Sequence, residues 1–145
     1  MLLTDHLAQS TGLSARAVIE WSSRIPSGAT HKKSFQTEFT LEEAAVIDIA
    51  AAISRRGFPR SLAWGIARYL KADFIKLIAD EKFGVYVFAQ PKDNEHDDWT
   101  FCVTEDPSEA LKIADELEGV ALFSGRVLLQ QSLERLTAAQ RELDA

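Results

Sequence analysis

Cationic and hydrogen-bonding side chains recur early in the chain at spacings that suit phosphate and base-edge contact. Ser14, Ala15 and Arg16 are consecutive, Arg24 follows, and His31, Lys32 and Lys33 form a second short cluster. Guanidinium and ammonium groups lie well on a phosphate backbone, and a serine hydroxyl or an arginine fork can read a base edge. A solvated loop whose lysines only aid solubility is the other use of the same residues. Asp93, Glu95, His96, Asp97 and Asp98 offer a different chemistry, the donor types that a hard cation takes. Their spacing repeats no ligand pattern and the glycine of a calcium loop is missing, so a charged hairpin loop is the expected reading. Cys102 is the only cysteine and the three histidines are scattered, whereas a structural zinc site needs about four ligands. The chain has no Gly-rich phosphate loop, no Gly-x-Ser-x-Gly elbow and no His-Glu-x-x-His. No catalytic residue, metal or cofactor is therefore expected.

The elements that must hold the early cluster are two short helices meeting at a corner. Leu7, Ala8 and Thr11 share one face of the first, Val18 and Trp21 share one face of the second, and Gly12 stands between them. Such a corner requires a residue that tolerates φ > 0, a small residue where the helices touch, and apolar residues that clamp the second helix. Ser14 is placed to cap that helix, its hydroxyl accepting from a free first-turn amide. The helix after such a corner is the one that can enter a major groove. The same corner also occurs in helical domains that touch only protein.

Composition limits the function classes. Of 145 residues, 46% are hydrophobic and 26% charged, as in ordinary globular chains. No apolar run reaches the ~18 to 20 residues of a membrane span, and the N-terminus lacks the basic and apolar regions of a signal peptide. A cytoplasmic location is expected, and a single cysteine suits a reducing compartment. The net charge of −6 is unevenly shared: nine Lys/Arg against six acids up to Ala72, seven against sixteen afterwards. A slightly basic head on an acidic body permits local phosphate contact.

Taken in order, Leu2 and Leu3 open the first helix or pack just before it, with Thr4 or Asp5 as its cap. The stretch 24–34 contains Pro26 and Gly28 and no helical period, so it is a loop or a two-stranded wing. Thr40-Leu41-Glu42-Glu43 reads as a capping box that starts a helix with Ala45, Ile49 and Ala52 or Ile53 inward, ending near Gly57. Arg55 and Arg56 would complement its dipole. Ser61 is the expected cap of a further helix bearing Leu62, Trp64, Ile66, Tyr69 and Leu70. A helix over 72–81, with Phe74, Leu77 and Ile78 inward, leads to strands at 84–89 and 99–104 joined as a hairpin. Asp106-Pro107-Ser108-Glu109 starts another helix, 119–123 reads as a third strand, and Ser124-Gly125 as a turn. In the last helix Leu129, Leu133, Leu136 and Leu143 suit either packing on the small sheet or a seam between two chains. Tyr86, Trp64, Trp99 and Phe101 are core residues or the lining of a ligand cleft.

The order Leu7-Ala8-x-x-Thr11-Gly12-Leu13-Ser14-x-Arg16-x-Val18-x-x-Trp21, a polar wing, Phe39-Thr40-x-Glu42-Glu43 and Arg56-Gly57-Phe58 before a further helix resembles the winged helix-turn-helix domain of MerR-type transcription regulators. The likeness covers about half the chain, and it departs from the family pattern at Ile19 and Glu20 and in the wing, which has no Arg just before Phe39. Joined to the strands and helices read after residue 72, it gives an α+β chain with two parts. An all-α winged helix-turn-helix domain would occupy 1–72, and a ββαβα module for self-association or sensing 73–145. It further implies a non-catalytic DNA-binding regulator whose second helix enters the major groove through Ser14, Ala15 and Arg16, while Arg24, His31, Lys32 and Lys33 lie on phosphates. The expected partners are double-stranded DNA, a second copy of the chain, and a protein or small-molecule effector at the C-terminal module, with no membrane. The alternative is a protein-protein interaction module on the same scaffold that has lost sequence-specific readout.

Overall fold

The 3.6-residue apolar period of the sequence becomes helix almost everywhere it occurs, and the β-branched, aromatic stretches become short antiparallel strands, so the fold is α+β. A computed structural model describes residues 2–23, 31–33, 36–92, 99–116 and 120–144, with the backbone alone at 31–33 and 36–37. The elements in order are β1 (Leu2–Leu3), α1 (Thr4–Thr11), α2 (Ala15–Ser22), β2 (His31–Lys33), β3 (Gln36–Phe39), α3 (Leu41–Arg55), α4 (Arg60–Ala72), α5 (Phe74–Ala79), β4 (Tyr86–Pro91), β5 (Trp99–Thr104), α6 (Pro107–Glu116), β6 (Ala121–Ser124) and α7 (Gly125–Asp144).

The first sheet has the order β1-β3-β2, all antiparallel. Leu2 and Leu3 therefore do not open the helix: they pair with Phe39 and Glu38, and Leu2 joins the core. Leu3 precedes α1, and its amide donates to His6 Nδ1 at 2.9 Å. The N-terminal part is thus not all-helical apart from a wing, because a third strand pairs with the hairpin. The second sheet has the order β5-β4-β6, and Phe88 faces Cys102 on one side and Leu122 on the other. The expected hairpin and third strand are both present, followed directly by α7 rather than a turn at Ser124-Gly125.

α3 is the centre of the molecule. Every residue from Ala44 to Ile53 is buried, not only one stripe, and a helix apolar all round must be enclosed by others. The one acid in that run, Asp48, is fully buried and receives Arg135 of α7, with Nη2 at 2.6 Å and Nε at 3.0 Å from Oδ2. α4 lies along α3, while α7 returns from the second sheet to pack on α1 and α3. One apolar cluster runs from Leu2 to Leu136 and crosses residue 72. Leu129 and Leu136 are buried in it, Leu133 is half-buried, and Leu143 is exposed.

Local caps are met in part. Thr40 accepts from the Glu43 amide at 3.2 Å, and α4 begins at Arg60 with Pro59 at the cap position, so Ser61 lies inside the first turn rather than capping it. Asp106 caps α6 through the Ser108 amide at 2.9 Å, while the Glu109 carboxylate takes the Thr104 hydroxyl instead of closing a box. On α5, Phe74 and Leu77 face inward as expected, but Ile78 is 50% exposed. No helix among the described residues is long and apolar enough to cross a membrane.

Candidate nucleic-acid interface

The corner between α1 and α2 is built by hydrogen bonds that the residue types dictate. Gly12 sits at φ 76° and ψ 6°, the left-handed region that an L side chain rarely enters, and its amide returns to Ala8 O at 3.0 Å. Thr11 is buried and bonds twice, donating its hydroxyl to Leu7 O at 2.6 Å and accepting from the Leu13 amide at 3.1 Å. Arg55, at the end of α3, donates to the Thr11 carbonyl and so satisfies an acceptor that the end of α1 leaves open. Ser14 then caps α2, accepting from the Ala17 amide at 3.1 Å.

Beyond the corner, Val18 and Trp21 turn α2 into the core. Val18 is wholly buried, and the Trp21 ring lies 5.4 Å from that of Trp64 with the Arg60 guanidinium 4.9 Å above it. The opposite side is open: Ser14, Ala15, Arg16 and Glu20 are all exposed. Arg16 and Glu20 are one helical turn apart and project from the same side, and no ion pair forms between them. Free amides at the start of α2 add a partial positive charge beside Ser14 and Arg16.

The other residues expected at this site have separate fates. Arg24 lies outside the described residues. His31, Lys32 and Lys33 form β2, where His31 pairs with Glu38, Lys32 with Thr37 and Lys33 with Gln36; their side chains lie outside the described set. The acidic loop 93–98 also lies outside it, and among the described residues no group of three or more His, Cys, Asp or Glu could hold a metal ion.

Two residues contribute that sequence reasoning did not place at the corner. In sequence the dipole of its own helix is reason enough for Arg55, yet it reaches across to α1, and Arg60, which no motif singles out, covers Trp21. Neither contact has a local signal, because each joins residues nearly forty or more positions apart.

The far side of α1 is occupied. His6 is buried, and since its Nδ1 accepts from the Leu3 amide, Nε2 carries the proton and donates to Asp144 Oδ1 at 2.9 Å. Gln9 donates to Glu142 Oε2 at 2.8 Å. α7 thus holds α1 in place while leaving the outer side of α2 open. Compared with protein-family models and with curated proteins, the chain matches none.

Proposed function

We propose that the protein binds double-stranded DNA through the outer side of α2, without catalysis, as a transcriptional regulator built on a winged helix-turn-helix like that of the MerR-type regulators. The observation that carries this reading is an exposed, serine-capped helix that follows a left-handed glycine and presents Ser14, Ala15 and Arg16 together. The β2–β3 hairpin, paired to β1, supports it as a wing bearing His31, Lys32 and Lys33. Arg24 would join them on phosphates. One eight-residue helix offers few contacts, so two copies on two half-sites would give useful affinity.

A specific observation favours a second reading. Glu20 is exposed one turn from Arg16, and a carboxylate on that side repels phosphate unless it accepts from a cytosine amine. The second reading is a protein-interaction module on the same scaffold.

Titration of a labelled random-sequence duplex over a salt series separates the two. DNA binding predicts association at low salt that weakens steeply as salt rises. Arg16→Ala should weaken it, and Lys32→Ala with Lys33→Ala should weaken it and flatten the log-log salt slope by about one for each phosphate no longer held by a lysine. An absence of binding at low salt, or wild-type affinity in both variants, would leave the interaction module as the reading.

A further inference from the structure

The second sheet has two sides. Val87, Ala89 and Phe123 face the core, while Phe88, Gln90, Thr100, Cys102 and Leu122 alternate to the other side. On that other side, at the end where Gln90 pairs with Thr100, lies a recess of about 190 Å3 lined, among the described residues, by Phe88, Gln90, Thr100, Phe101, Cys102 and Val120, although the Phe101 ring itself turns to the core side against Tyr69. Phe88 is only 3% exposed and forms its floor. The Cys102 thiol, from the only cysteine of the chain, is exposed beside it.

We propose that this recess is a binding site for a small uncharged ring compound carrying one hydroxyl or N–H, of the phenol or indole class. Size sets the first limit. A dry engineered cavity of about 150 Å3 takes benzene, and drug-sized ligands need roughly 300 Å3 or more, so this recess holds one ring or a fused pair. Charge sets the second. None of the lining residues among those described is acidic or basic, so a charged ligand would lose hydration with no opposite charge from them in return. Polarity sets the third. The Gln90 amide and Thr100 hydroxyl stand side by side across β4 and β5 and have no hydrogen-bond partner among the described residues, which leaves a donor and an acceptor for a single polar group on the ring.

The inference stands apart from DNA binding, because its test contains no DNA. The intact chain is alkylated with iodoacetamide, and the rate at Cys102 is followed by mass spectrometry with increasing phenol, indole or benzoate. A short cysteine peptide in the same solutions corrects for reagent effects. Phenol and indole should slow the reaction at least threefold and saturably, and benzoate should leave it unchanged. Thr100→Phe, which fills the recess from an exposed strand position, should abolish the protection while circular dichroism stays that of the wild type; Thr100→Ser should keep it. Unchanged rates with both neutral rings, protection by benzoate equal to that by phenol, or full protection in a folded Thr100→Phe variant would each overturn the proposal.

Discussion

α1 and α2 have the same length and meet at one glycine, yet they are treated in opposite ways. α1 is held on every side that matters: its core residues face α3, and His6 and Gln9 are tied to the end of α7. α2 is clamped on one side only, by Val18 and Trp21, and its other side carries exposed Arg16 and Glu20. The contrast separates residues that fix geometry from residues that stay open to solvent. A rigid first helix is what lets an exposed second helix keep one orientation, so the interior contacts of α1, α3 and α7 bear on the candidate interface without touching it.

The strongest way to break the contrast is through the buried pair that docks α7. Arg135→Ala leaves the Asp48 carboxylate uncompensated in the core, and breaking such a pair costs about 3–5 kcal/mol. Urea unfolding should show that loss. Asp48→Leu combined with Arg135→Met should recover most of it, since apolar replacement of a buried pair is often neutral. If the double variant is as unstable as the single one, the pair serves geometry rather than charge balance.

A smaller loss is expected at the corner itself. Gly12→Ala finds room, since the nearest atom to a new Cβ is Arg55 Nη1 at 3.7 Å, so the cost is the left-handed backbone, about 1–2 kcal/mol. Gly12→Asn should cost less, because asparagine enters that region more readily. Equal losses for the two would mean that the corner relaxes away from positive φ.

What the sequence reveals of this fold is what is decided within a few residues. The Gly12 corner, the Ser14, Thr40 and Asp106 caps and the strands on either side of the acidic loop are each set by neighbours in the chain, and each is present. β1 escapes such reading, because two leucines become a strand only when Phe39 and Glu38 lie beside them. The docking of α7 escapes it too: its leucine spacing is compatible with a sheet, a second chain or another helix, and Asp48 decides by demanding a cation. Gly125 is likewise legible only in space, since a Cβ there would stand 2.7 Å from Leu70 Cδ2 and 3.1 Å from Val85 O. At the candidate interface the helical period alone places Ser14 and Arg16 outward, whereas Arg55 and Arg60 owe their positions to Thr11 and Trp21, which are distant in sequence.

A loss of about 1 kcal/mol is expected for Ser14→Ala, which frees the Ala17 amide at the start of α2, and thermal unfolding should register it. Ser14→Asp should restore stability as a cap while placing a carboxylate beside any bound phosphate, so stability and duplex affinity should part: the first near wild type, the second reduced. If Ser14→Asp binds duplex as tightly as wild type, the start of α2 does not meet the backbone.

The least change in stability, and the sharpest test of the contrast between the two helices, comes from Glu20→Gln. The side chain is exposed and bonded to nothing among the described residues, so unfolding should move by no more than about 0.5 kcal/mol. Binding should move instead. Removing a negative charge one turn from Arg16 lowers repulsion on the open side of α2, and affinity for random duplex at low salt should rise several-fold, with the gain shrinking as salt screens it. The matching change on the closed helix, Gln9→Glu, adds a negative charge beside Glu142 and should cost stability by like-charge repulsion. If it also weakens duplex binding as much as Glu20→Gln strengthens it, both helices face the duplex and the division between them fails.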